Sequence, residues 1–122
     1  MTKPIAKASP KVMPTTVKHL VAIDLGSNSF HIVIAREQDG CLQILHRQKQ
    51  SIGLAAGLDE NNNLSETVID KAIKCLQEFN LSLIDLPCSA VRIVATHALR
   101  NAKNIESFKE KAMHVLPYPI DV

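Results

Sequence analysis

Residues 24–29 combine one carboxylate with glycine and short polar side chains, a set of groups suited to holding phosphate. The segment reads Asp24-Leu25-Gly26-Ser27-Asn28-Ser29. It lies between two apolar runs rich in β-branched residues, 20–23 and 30–35, which predict two buried strands joined by a tight turn. Gly26 permits a positive φ and a close approach of an oxyanion to the backbone, and the three polar residues after it add short donors. These residues predict an anion-binding turn.

A carboxylate so close to a bound anion indicates that a cation such as Mg²⁺ stands between Asp24 and the phosphate. Two other phosphate loops are excluded, because the chain has neither G-x-x-x-x-G-K-[ST] nor G-x-G-x-x-G. Here the loop leads into a strand, so a hairpin turn rather than a helix N-terminus would hold the anion. On the short motif alone, an ordinary polar turn remains open.

The longer string 21–36, Val-Ala-Ile-Asp-Leu-Gly-Ser-Asn-Ser-Phe-His-Ile-Val-Ile-Ala-Arg, resembles the first phosphate motif of the exopolyphosphatase and guanosine pentaphosphate phosphatase family. That family belongs to the actin-like ATPase superfamily. Residues 94–102, Val-Ala-Thr-His-Ala-Leu-Arg-Asn-Ala, are similar to the family's strand-to-helix segment with its arginine, and Leu54-Ala-Ala-Gly57-Leu58 also matches. The resemblance runs from His19 to Val122 in one register. Within the family, residues 115–122 are more similar to exopolyphosphatases.

The resemblance implies a fold and a set of roles. The fold class would be α/β, a ribonuclease H-like (actin-like ATPase) half-domain, and the activity would be hydrolysis of a terminal phosphoanhydride by water. Asp24 and Arg100 would be catalytic, with Asp24 also binding Mg²⁺ through water. Phosphate-binding roles would fall to Gly26, Ser27, Asn28, Ser29 and Thr96. From the residues alone, Thr96 could equally cap a turn and Arg100 could be a solvated helix arginine.

Two features of the family are absent from these 122 residues. One is a catalytic glutamate in a segment like Ile-Ser-Gly-x-Glu-Glu-Ala, and the other is a Gly-rich second phosphate motif. We therefore expect an N-terminal part of an exopolyphosphatase, forming one wall of a two-walled cleft and inactive alone. Its expected partners are inorganic polyphosphate or guanosine pentaphosphate, the C-terminal half of the same enzyme and, when intact, a second copy in a homodimer.

Charge and composition favour a globular domain after a basic leader. Residues 1–18 carry four lysines, no acid and three of the six prolines, so we expect this leader to be disordered. Residues 19–122 have 10 basic and 12 acidic residues, a net charge of −2, which argues against a nucleic-acid-binding surface. The chain has no secretory h-region, and its three cysteines form no C-x-x-C, which favours a reduced, cytoplasmic protein. The lysines of the leader could also contact anionic lipid, so peripheral binding to the inner face of a membrane stays open.

The predicted element order is β-β-β-α-β-α-β, a mixed sheet whose first three strands are antiparallel. Asp39-Gly40 predicts a two-residue hairpin turn between the second strand, at 32–37, and the third, at 41–48. Residues 51–63 are predicted as loop, and apolar residues at helical spacing follow with Ser65 as N-cap. A strand at 91–95 leads into a helical turn through Arg100, and a second helix begins at Asn104. We expect a half-domain over 19–122 that breaks off where the fifth strand starts.

Three alternatives stay open. The same fold could act on guanosine pentaphosphate. The chain could instead be a non-catalytic half-domain that binds polyphosphate or phosphate. A third possibility is one half of an actin-like sugar kinase, but no feature of the sequence after Ser29 supports it.

Overall fold

The computed structural model describes residues 17–122, so the predicted leader lies almost wholly outside the described residues. The elements within this range, in chain order, are β1 (Lys18–Leu25), β2 (Ser29–Gln38), β3 (Cys41–Ser51), a 3-10 helix (Ala55–Gly57), α1 (Glu66–Leu81), β4 (Cys88–Ala95), α2 (His97–Arg100), α3 (Ile105–Val115) and β5 (Ile120–Asp121). The predicted order is confirmed, with the helical turn before α3 present as α2. The predicted loop at 51–63 contains the 3-10 helix, and its first residue belongs to β3.

The first three strands form the predicted antiparallel meander. Asp39 and Gly40 connect β2 to β3 with φ values of 54° and 78°, both in the left-handed region that a type I′ hairpin turn requires. β3 is three residues longer than the predicted strand at 41–48, because its pairing with β2 continues to Ser51 opposite Ser29. This extension carries the chain from β3 directly past the turn that joins β1 to β2.

The five strands form one mixed sheet in the order β3-β2-β1-β4-β5. β1 is central, antiparallel to β2 and parallel to β4, and β5 is parallel to β4. The carboxyl ends of β1 and β4 therefore meet at the same edge of the sheet, as in other parallel pairs where ligands bind. This arrangement positions the segments after Leu25 and Ala95 beside each other.

The hydrophobic core lies on one face of the sheet, under α1 and α3. Alternate residues of β1, Val21, Ile23 and Leu25, are buried there, whereas Ala22, between the first two, is exposed on the other face. Ser65 caps α1 as predicted, since its hydroxyl accepts a hydrogen bond from the Val68 N–H at 3.2 Å. All three phenylalanines, Phe30, Phe79 and Phe108, are buried in this core.

Asn104 fastens α3 to the loop before α1. Its side-chain oxygen accepts from the Leu64 N–H at 2.8 Å, and its side-chain nitrogen donates to the Leu64 carbonyl at 3.0 Å. The amide thus pairs with Leu64 as a neighbouring strand would. No helix of the described range 17–122 is long and apolar enough to cross a membrane.

Candidate phosphate-binding site

The turn between β1 and β2 is narrow because Gly26 lies against the backbone of Ser29. The Gly26 N–H donates to the Ser29 carbonyl at 3.1 Å, and a Cβ on Gly26 would stand 2.7 Å from that carbonyl oxygen. Gly26 does not use the positive φ that glycine permits: in the described residues the glycines with positive φ are Gly40 and Gly53. Glycine is required here because there is no room for a side chain, and not because of an unusual φ.

The carbonyl groups of the turn are held on one side by the loop that follows β3. The Asn28 carbonyl accepts hydrogen bonds from the N–H groups of Ile52, at 2.8 Å, and Gly53, at 2.9 Å. The Ser27 carbonyl accepts from the Ala55 N–H at 3.0 Å. Three backbone donors from residues 52–55 therefore fix the orientation of two consecutive peptide groups in the turn.

This orientation determines where the N–H groups of the turn point. In a trans peptide the N–H lies opposite the carbonyl of the preceding residue, and every described peptide bond is trans. The Asn28 and Ser29 N–H groups therefore point away from residues 52–55. Within residues 17–122, the Ser27 and Asn28 N–H groups donate to no other residue. Consecutive N–H groups whose peptide carbonyls are hydrogen-bonded on the opposite side form a concavity suited to an anion.

Thr96 joins the predicted second segment of the site to the first. Ala95 is paired with Leu25 in the parallel β1–β4 ladder, and the next residue donates twice to the Leu25 carbonyl, from the Thr96 N–H at 3.2 Å and from its hydroxyl at 3.1 Å. The hydroxyl makes no capping hydrogen bond to α2. Thr96 thus fixes the start of α2 against the residue that precedes Gly26.

Arg100 ends α2, one helical turn after Thr96, and its N–H donates to the Thr96 carbonyl at 3.1 Å. The side chain is exposed, and among the described residues it makes no ion pair. A guanidinium without an ion-pair partner, on a helix that starts beside Leu25 at the edge of the sheet where the turn lies, is available for a phosphate group. The short length of α2 keeps Arg100 near that edge of the sheet.

Asp24 lies in β1 with its side chain on the face opposite the core, between the cross-strand neighbours His31 and Val94. It is half-buried and makes no ion pair with a described residue. No cluster of three or more metal-ligating side chains occurs in residues 17–122. A single carboxylate fits Mg²⁺, which proteins commonly bind through one or two carboxylates while phosphate oxygens and water supply the other ligands.

The described structure brings the two predicted segments, 24–29 and 96–100, to one edge of the sheet. Sequence reasoning did not identify Ile52, Gly53 and Ala55 as part of this region. The only signal was the similarity of residues 54–58 to the family, because these residues act through backbone N–H groups that any amino acid except proline carries. A surface pocket of about 720 Å³ lies elsewhere and is lined by residues of α3 between Glu106 and His114.

Known proteins are similar to this chain in both sequence and fold. Residues 33–122 match the Ppx/GppA phosphatase family. The chain is 44% identical over 106 residues to "Putative exopolyphosphatase" of Haemophilus influenzae, an alignment that covers 87% of this chain and 33% of that protein. It is 46% identical over 101 residues to "Guanosine-5'-triphosphate,3'-diphosphate pyrophosphatase" of Vibrio vulnificus, covering 83% of this chain and 20% of that protein. The chain thus spans a third or less of these relatives.

A crystal structure of the Aquifex aeolicus member of the Ppx/GppA family superposes with a TM-score of 0.82 at 30% identity, over 88% of this chain and 35% of that one. An exopolyphosphatase from Cytophaga hutchinsonii, at 22% identity, shares the fold with a TM-score of 0.79 over 84% of this chain and 33% of that one. The family match covers most of the chain, from Val33 within β2 through all of α2 to Val122, and the turn at residues 26–29 precedes it. This chain belongs to the Ppx/GppA phosphatase family.

Proposed function

We propose that this chain is the N-terminal part of an exopolyphosphatase and binds the terminal phosphoryl group of inorganic polyphosphate. The observation that carries the proposal is the turn at residues 26–29, whose carbonyls are held by residues 52–55 while its N–H groups point away from them. The exposed guanidinium of Arg100 at the same edge of the sheet adds a positive charge. Both features favour an anion with several oxygens, such as a terminal phosphoryl group.

In the reaction that we propose for the intact enzyme, the oxygen of a water molecule attacks the terminal phosphorus and the bridging P–O bond breaks. The products are orthophosphate and a polyphosphate shorter by one unit. The turn N–H groups would hold the oxygens of the terminal phosphoryl group, and Arg100 would stabilise the charge that develops on them. Bound Mg²⁺, held by Asp24 through water, would neutralise part of the phosphate charge. A glutamate outside these 122 residues would activate the water.

Polyphosphate is favoured over guanosine pentaphosphate because the described surface presents no phenylalanine or tyrosine ring near the turn on which guanine could stack. The three phenylalanines are buried in the core. Tyr118, the one tyrosine of the chain, precedes β5 at the sheet edge away from β1 and is half-buried. Stacking of a base on an aromatic ring typically contributes about 1–3 kcal/mol. A substrate made only of phosphate needs no such contact.

A second candidate, hydrolysis of guanosine pentaphosphate, is supported by the names of relatives. The Vibrio vulnificus protein is 46% identical to this chain and the Haemophilus influenzae protein 44%, so identity does not separate the two activities. Both substrates end in a phosphoryl group that the turn could bind. They differ in what lies beyond that group.

Calorimetric titration of the 122-residue chain with tripolyphosphate, long-chain polyphosphate and guanosine pentaphosphate, each with and without Mg²⁺, tests the proposal. We expect saturable binding of tripolyphosphate that Mg²⁺ strengthens, and binding of long-chain polyphosphate at least as tight per chain end. Guanosine pentaphosphate binding about tenfold tighter than tripolyphosphate, a difference of about 1.4 kcal/mol, would favour the second candidate. Absence of tripolyphosphate binding would contradict both.

A further inference from the structure

We propose that Gly53 is a positioning residue, which orients the phosphate-binding turn through the Asn28 carbonyl without touching the phosphate itself. The inference rests on the proposed function, because it concerns how the same turn is built. Its basis is the pair of hydrogen bonds that the Asn28 carbonyl accepts from the consecutive N–H groups of Ile52 and Gly53.

Two consecutive N–H groups converge on one oxygen where the backbone curls, which requires neighbouring residues with φ values of opposite sign. Gly53 supplies that curl with φ +82°, a left-handed conformation that costs other L-residues strain. No atom lies within 4 Å of the position that a Cβ on Gly53 would occupy. The requirement for glycine at position 53 is therefore conformational and not steric.

The curl is anchored to the rest of the domain. The Gly53 carbonyl accepts from the Gly57 N–H at 3.0 Å, and the Gly57 carbonyl in turn accepts from the Ser65 N–H at 2.9 Å, at the cap of α1. A Cβ on Gly57 would stand 2.6 Å from Cγ1 of Val68, so the 3-10 helix is pressed against the first turn of α1. Leu54, the residue after Gly53, is completely buried in the core.

A continuous set of contacts thus runs from α1 through Gly57 and Gly53 to Asn28. It gives the turn a rigid support, because the peptide groups after Ser27 and Asn28 cannot rotate without breaking hydrogen bonds to residues 52–55. Rotation of the peptide between Asn28 and Ser29 would aim its N–H elsewhere. Loss of the curl at Gly53 is therefore expected to weaken anion binding by a route that no ligand contact reveals.

The chain contains a matched control at Gly40. This glycine also has a positive φ, +78°, and also has no atom within 4 Å of its Cβ position, but it lies in the β2–β3 turn and makes no backbone hydrogen bond to Asn28 or α1. Valine disfavours a positive φ strongly, whereas asparagine tolerates it. Gly53→Val and Gly40→Val therefore impose the same backbone conflict at two places, and Gly53→Asn relieves it at position 53.

We would measure the dissociation constant of tripolyphosphate for the 122-residue chain and these three variants by calorimetry, with circular dichroism to verify folding. The expected result is a loss of affinity of about tenfold or more in Gly53→Val, with Gly40→Val and Gly53→Asn staying within about threefold of the unchanged chain. A folded Gly53→Val chain with unchanged affinity would overturn the inference and leave the proposed function standing. Failure of the unchanged chain to bind would overturn both.

Hydrogen exchange of the unchanged chain gives a second measurement that does not depend on any variant folding. The Ile52 and Gly53 amides donate within the chain, so tripolyphosphate cannot bond to them directly. If Gly53 supports the turn, binding slows exchange at both amides by stabilising the closed turn. Exchange rates at these two amides that do not change at saturating tripolyphosphate would overturn the inference.

Discussion

Substitution of Gly26 by alanine is the change that the geometry of the turn predicts most directly. The new Cβ would stand 2.7 Å from the Ser29 carbonyl oxygen, whereas ordinary contacts begin near 3.4 Å, so the two groups must separate by 0.7 Å. A shift of that size takes the Gly26–Ser29 hydrogen bond, 3.1 Å long, out of range. The turn therefore opens.

The cost can be assembled from its parts. Losing the hydrogen bond removes about 1 kcal/mol of folding free energy, and residual crowding against backbone costs about 1 kcal/mol more. Alanine also restricts the unfolded chain, which returns about 0.5 kcal/mol. The net loss of about 1.5 kcal/mol should lower the melting temperature by roughly 5–9 °C for a domain of this size. Tripolyphosphate affinity should fall by about tenfold or more, because the N–H groups no longer converge.

Urea unfolding and calorimetric titration of the same Gly26→Ala sample measure both effects. Gly40→Ala serves as the control, since alanine at φ +78° costs about 1 kcal/mol through backbone strain alone. That variant should lose stability and keep its affinity. A Gly26→Ala chain that is as stable as the unchanged chain and binds tripolyphosphate equally well would refute the reasoning.

Three further predictions concern other residues. Arg100→Ala should weaken tripolyphosphate binding by about tenfold or more. It should change the stability to urea little, because the side chain has no ion-pair partner among the described residues. The control Lys111→Ala, at an exposed position of α3, should change neither the affinity nor the stability. Asn104→Ala should lower the unfolding free energy by about 2–3 kcal/mol, because both hydrogen bonds to Leu64 are lost; an unchanged denaturation midpoint would contradict this. Burial, assisted by Glu78, raises the pKa of Cys75 to about 12. That pKa lies above the pKa of the thiol in the unfolded chain. The folded state therefore keeps its full stability below about pH 8.5 and loses stability as pH rises toward 12, because the thiol of the unfolded chain ionises first. A Cys75→Ala variant should lose less stability over that window, and iodoacetamide at pH 8 should modify exposed Cys41 but not Cys75 as followed by mass spectrometry.

The arrangement of strands and helices was predictable because it depends on side-chain pattern. The apolar runs around the turn, the Asp39-Gly40 pair and the Ser65 cap each carry a local signal, and each element was found where that signal placed it. Strand ends were less accurate. β3 continues past Gln48 because pairing with β2, and not its own composition, holds Lys49 to Ser51 in the sheet.

The site was predictable in its residue types and less so in its construction. The residue types at 24–29 indicate that the turn binds an anion. The orientation of the turn, however, depends on backbone N–H groups of residues 52–55, and backbone groups cannot be recognised from the side chains in a sequence. Gly26 illustrates the same limit, because a glycine required by close approach and a glycine required by positive φ look identical in sequence. Thr96 is a further case: its hydroxyl donates to the Leu25 carbonyl, 71 residues earlier in the chain.

The central claim is that the turn at residues 26–29 and the segment 96–100 together bind a terminal phosphoryl group. Titration of the ¹⁵N-labelled 122-residue chain with tripolyphosphate, followed by amide chemical shifts, tests it most directly. We predict the largest shifts at the Asn28 and Ser29 amides, with the Arg100 side-chain Nε–H shifting at the same ligand concentrations. Shifts confined to the α3 surface between Glu106 and His114, or no saturable shift at all, would contradict the claim.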